Sequence, residues 1–134
     1  MKCAGSDLDT EFALHHYGPF SAELADAAEE LMLIGAIDER HEQVGPFGLF
    51  QTVYRLPESA PQRPELPPKE KRILLELDCF STTELEMAST IAHFLREGVS
   101  YDQAVAEAAS LKPTKAILPV MEKAHKILDI VGMR

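Results

Sequence analysis

His15 and His16 are the residues whose type is best suited to bind a metal or move a proton near neutral pH. In an extended segment adjacent side chains point to opposite faces, so the two imidazoles do not close on one ion. No H-x-x-x-H, H-E-x-x-H or C-x-x-C spacing occurs in the chain, and no metal site or cofactor is expected. One imidazole should pack or bond near Tyr17 while the other meets water. Glu84 and Glu86 flank Leu85, but side chains two apart on a helix diverge and do not form a carboxylate pair. Glu86 and His93 stand seven residues apart on one helical face, where a solvated surface is the expectation. Ser21, Ser81 and Ser100 all have helix-capping roles, and none lies in a G-x-S-x-G elbow. Gly45-Pro46-Phe47-Gly48 lacks the lysine of a phosphate loop and reads as a hairpin turn. At this turn Phe47 and Phe50 either form an exposed tip or send Phe50 into the core. Catalysis is therefore not expected; an enzyme would need His15, His16, Glu86 or His93 to converge in a cleft between the two halves of the chain.

The elements that must carry these residues follow from periodicity and capping. Ser21 is an N-cap, and Glu23 places negative charge in the first turn after it. Leu24, Ala27, Ala28, Leu31 and Ile34 then recur at helical spacing, with Gly35 as the left-handed stop, which predicts a helix over 21–34. Residues 36–56 read as a β wing, two extended stretches about the turn at Gly45-Pro46-Phe47-Gly48. Five prolines between Leu56 and Lys69 exclude a helix or central strand there, so 57–68 is a linker. From 69 onward the pattern is helical. Ile73, Leu74, Leu77 and Phe80 form a first stripe. Ser81-Thr82-Thr83-Glu84 is a capping box opening a second helix whose buried face is Leu85, Ala88, Ile91, Ala92 and Leu95, flanked by Met87 and Phe94. Ser100 to Gln103 caps a third, which Pro113 ends, and Pro119 opens a fourth. The expected fold is mainly α with a small β wing: a truncated winged-helix-like half at 1–56 and a helical bundle at 69–134, joined in one compact unit.

Charge narrows the partners. The chain has 13 basic and 22 acidic residues, a net charge of -9. Residues 1–57 alone hold 3 basic and 10 acidic groups. The helix over 21–34 carries Glu23, Asp26, Glu29 and Glu30 and no Lys or Arg, which opposes contact with a polyanion, so nucleic acid is not an expected partner. No apolar run approaches the roughly 18 residues that span a bilayer. Met1 to Asp9 lacks the basic-then-apolar pattern of a secretory leader, and Cys3 and Cys79 are too few for a disulfide framework. A cytoplasmic protein is expected.

His16-Tyr17-Gly18-Pro19-Phe20-Ser21, then Glu23-Leu24 and Leu33-Ile34-Gly35-Ala36-Ile37, resembles the YwgA-like proteins, which are similar in turn to the Panacea (SocA-like) antitoxin and proteolytic-adaptor domain. Thr83-Glu84-Leu85-Glu86-Met87-Ala88-Ser89-Thr90-Ile91 resembles the family's E-L-E-x-x-A-T helix, and Leu111-Lys112-Pro113 its later K-P step. The resemblance implies a winged-helix-like domain that binds another protein: a toxin, a proteolytic client or a protease subunit. It carries no catalytic residues. Tyr17, Gly18 and Pro19 are expected as a structural corner. In the family a helix with a K-L-Q-K-like segment precedes this corner, and here 17 residues precede Gly18. Without that helix Leu24, Leu31 and Ile34 would stay uncovered, so a homodimer is expected. The partner contacts expected are the wing residues Phe47, Leu49 and Phe50 and the acidic face Glu23, Asp26 and Glu30. A winged-helix transcriptional regulator is the alternative.

Overall fold

The computed structural model describes residues 11–15, 18–60 and 65–134. In chain order its elements are strands β1 (Ala13–His15) and β2 (Gly18–Phe20), helix α1 (Ala22–Leu33), strands β3 (Asp38–Val44) and β4 (Leu49–Arg55), and helices α2 (Pro68–Leu77), α3 (Thr82–Arg96), α4 (Tyr101–Leu111) and α5 (Leu118–Ile130). The protein is mainly α, with two separate two-stranded antiparallel sheets, β1–β2 and β3–β4. Among the described residues no helix is long and apolar enough to cross a membrane.

The chain divides into two compact units. One comprises the residues up to Phe20 together with Leu66 onward; the other comprises Ser21 to Glu65. The first boundary differs from the proline-based division of the sequence, which places everything before residue 57 in one half. The β1–β2 pair packs on α3 instead, because Gly18 permits a close backbone approach. Gly18 has φ of +114°, and a Cβ there would stand 3.3 Å from Ser89 Oγ and 3.6 Å from Glu86 Cγ. The pair is further tied down by Phe12, whose ring lies beneath the Arg96 guanidinium at 5.9 Å. His15 stacks on Phe20 with ring centroids 4.5 Å apart. His16 and Tyr17, to which sequence reasoning gave a packing role, lie outside the described residues.

The helical unit is built around α3. Ser81 accepts from the Glu84 N–H while the Glu84 carboxylate accepts from the Ser81 N–H, so the capping box is complete. Ser100 accepts from the Gln103 N–H at the start of α4. Prolines punctuate the rest: Pro67 and Pro68 open α2, and Pro119 sits in the first turn of α5. Met87, Ala88 and Ile91 of α3 meet Ala104 and Ala108 of α4, Ala124, Ile127 and Leu128 of α5, and Met133 in one sealed core. The alanines let α4 and α5 approach α3 closely, so the core consists of few large side chains among small ones. Leu85, Ala92, Phe94 and Leu95 pack against its edge and remain half-buried. Thr90 is fully buried, its hydroxyl satisfied by the Glu86 carbonyl at 2.8 Å.

The smaller unit is a helix followed by a ribbon. Ser21 caps α1 by accepting from the Leu24 N–H at 3.4 Å, and Gly35, at φ +72°, ends it. β3 and β4 pair in register from Asp38 opposite Arg55 to Val44 opposite Leu49, with Gly45 and Gly48 supplying the positive φ of the turn. Among the described residues of this unit, Ser21 is buried and no apolar side chain is.

Candidate functional site

On α1, successive residues turn by about 100°, which separates two stripes. Glu23, Asp26 and Glu30 follow one another at i, i+3 and i+7 along one side. Leu24, Ala27 and Leu31 form the adjoining apolar stripe, which Ile34 extends at the C-cap. All four large positions stay exposed or nearly so: Leu24, Leu31, Leu33 and Ile34 rank among the exposed apolar side chains, Leu33 at 81%. Among the described residues no cation pairs with Glu23, Asp26, Glu29 or Glu30, and α1 carries none of its own.

Strand pairing decides what the ribbon can present. Gln43 opposite Phe50, His41 opposite Thr52 and Glu39 opposite Tyr54 share one face; Val44 opposite Leu49 and Arg40 opposite Val53 share the other. Phe50 is 68% exposed, so of the two sequence-based options it takes the surface. Phe47, at 88%, stands at the turn tip. Phe50 and Leu49, two of the wing residues expected as partner contacts, belong to opposite faces of the ribbon. Phe50 and Tyr54 share one face of the ribbon, Leu49 and Val44 the other, and Phe47 stands in the turn between the strands.

Glu86 overturns an expectation. Sequence reasoning gave it a solvated face; it is 7% exposed and lies in the interior of the helical unit. α3 is packed on by α4, α5 and β2, so it has no wide solvent side on which to keep a mid-helix carboxylate. Lys112, at the C-cap of α4, donates to Glu86 Oε1 at 2.5 Å, and Lys115 donates to Oε1 and Oε2 at 2.9 and 2.8 Å. Burial by itself raises the Glu86 pKa. The hydrogen bonds and charges of Lys112 and Lys115 together outweigh it and hold the carboxyl below the ordinary carboxylate range. Glu86 is thus an ionised acceptor with its lone pairs engaged, suited to locking α3 to the α4–α5 connection rather than to taking a proton. One side of it borders an apolar groove of about 480 Å³ lined by Leu77, Leu85, Ala92, Ile127 and Val131 among others.

The lysine pair was missed in the sequence. No local signal marked it: on the α3 wheel Glu86 lies on the polar side with Ser89, Thr90 and His93, opposite Ala88, Ile91 and Leu95, and only tertiary packing covers that side. Of the other residues considered for catalysis, His16 lies outside the described residues, and His15 and His93 have partners other than Glu86. His15 stacks on Phe20, and His93 lies 3.4 Å from Glu97, four residues on along the helix and its C-cap. No hydrogen bond joins His15, Glu86 and His93 among the described residues. Nor do three His, Cys, Asp or Glu side chains gather there as a metal cage requires. Elsewhere in the unit, Tyr101 of α4 hydrogen-bonds to His125 Nδ1 of α5, with the Arg134 guanidinium 5.7 Å from its ring. Burial raises the Tyr101 pKa, helped by Asp129 and Asp102 and opposed by Arg134, so the phenol stays protonated at neutral pH. Comparison with known protein families, curated proteins and solved structures gave no match.

Proposed function

We propose that this chain is a protein-binding module of antitoxin-like or proteolytic-adaptor-like type, acting through residues 21–60. The observation that carries the proposal is the contrast inside the smaller unit. It folds into a capped helix and a seven-pair ribbon, yet buries no apolar side chain while exposing Leu33, Ile34, Phe47, Leu49 and Phe50. Large apolar side chains left exposed on regular elements are candidates for contact with another protein. The resemblance to the YwgA-like and Panacea domains supports the same function, with α1 and the ribbon in the place of the winged-helix elements. Four carboxylates without a cation on α1 argue against DNA as the ligand of this face.

A photo-crosslinking amino acid placed at Phe50 or at Ile34 tests the proposal in cells of the source organism. A discrete protein adduct at one or both positions, absent when the same group is placed at Asp102 on α4, is the expected result. Adducts of equal yield at all three positions, or none at any, would overturn it.

A further inference from the structure

Resting on that proposal, we infer that the partner element seated on α1 is a basic amphipathic helix, presenting Lys or Arg to Glu23, Asp26 and Glu30 and an apolar stripe to Leu24, Ala27 and Leu31. The carboxylates at i, i+3 and i+7 span about 10 Å along the helix axis at 1.5 Å per residue. A second helix laid alongside at the usual 8–10 Å separation carries cations at the same spacing on its own flank. The apolar stripe adjoins the acidic one, so both contacts are made by one docked helix, the arrangement of helix-in-groove recognition.

The α1 of a second copy does not fit this face. It brings the same four carboxylates and no cation, so self-pairing adds like charges beside the apolar contact. Nor does the neighbouring ribbon neutralise α1: Arg55 is already engaged with Glu42 at 3.7 Å, and the described residues 21–60 hold eight acidic groups against Arg40 and Arg55. Their charge calls for a partner of opposite sign. An anionic membrane surface and nucleic acid are disfavoured on the same ground.

A displayed library of 18-residue amphipathic helices tests the inference, with leucines fixed at the seam and the flanking positions randomised among Lys, Glu and Gln. The full chain, free in solution, serves as bait. Selected sequences should favour Lys over Glu at the flanks by at least about tenfold, each exposed charge pair contributing about two- to fivefold. The selected helices should weaken by a similar factor on the triple variant E23Q/D26N/E30Q, whose changes are isosteric and exposed. Their affinity should also fall between 50 and 500 mM salt. Selection of Glu or of no charge preference, or no selected helix at all, would overturn the basic partner. Light scattering of the chain alone completes the test: a concentration-dependent dimer that persists in E23Q/D26N/E30Q assigns the face to a second copy and equally overturns the inference. In each of these cases a Phe50 or Ile34 crosslink to another protein would leave the protein-binding proposal standing, and its absence would remove both.

Discussion

The two units solve opposite problems with similar materials. Around α3 the chain uses small residues on α4 and α5 to bring helices close, and seals Met87, Ile91 and Leu128 completely. Between Ser21 and Ala60 it spends a comparable share of Leu, Ile and Phe on the surface. Local chemistry is sound in both, with capped helices, glycine stops and a registered ribbon. Correct local structure therefore does not by itself produce a core. Burial needs a second apolar layer, and in the helical unit α3 has one on several sides. That difference separates a helical unit with a buried core from a smaller unit whose apolar side chains stay at or near the surface.

The largest effect expected from breaking this contrast lies at Glu86. Glu86→Ala removes the carboxylate to which the buried Lys112 and the part-exposed Lys115 donate, and should cost about 3 kcal/mol in urea unfolding of the helical unit. The same ion cluster imposes a pH dependence. Because the folded-state pKa of Glu86 lies below its unfolded value, its stabilisation is complete above the unfolded value and is lost as pH falls through the depressed folded one. Acid unfolding of the wild type should therefore include a proton uptake that the E86Q variant lacks; identical acid profiles would show that Glu86 does not contribute.

Ile91→Ala comes next, at about 2–5 kcal/mol, since Ile91 is fully buried and its neighbours are too closely packed to fill the gap. Gly18→Ala should cost about 1–2 kcal/mol, combining a positive φ with a Cβ pressed against Ser89 Oγ. Its diagnostic is loss of amide-exchange protection in β1 and β2 with α5 unchanged. Smallest of all, Phe50→Ser should change stability by less than about 0.5 kcal/mol while reducing partner capture. A stability loss at Phe50 as large as that at Ile91 would erase the distinction between the two units.

The course of the chain was largely legible beforehand, because its signals are local. Ser21, Ser81 and Ser100 cap the helices they announce, Gly35 and Gly98 adopt the positive φ of helix stops, and the turn at Gly45 to Gly48 closes the ribbon. Local signals were weaker before α1. His15 and Gly18 belong to strands of three residues each, too short for alternation to be read. Periodicity along α3 placed its apolar face but not how many neighbours would surround it, and so left Glu86 in solvent.

By itself, then, the sequence determined the mainly α class, the bounds of α1 and of the ribbon to within a residue or two, and the excess of acid on α1. Each depends on interactions spanning only a few positions: caps, glycine dihedrals and net charge. Only the tertiary structure decided that Lys112 and Lys115 meet a carboxylate 26 and 29 residues away, that β2 lies on α3, and that Phe50 and Leu49 face opposite ways. Those outcomes depend on strand register and on which helix takes the centre of the packing, and neither is written in any short stretch of chain.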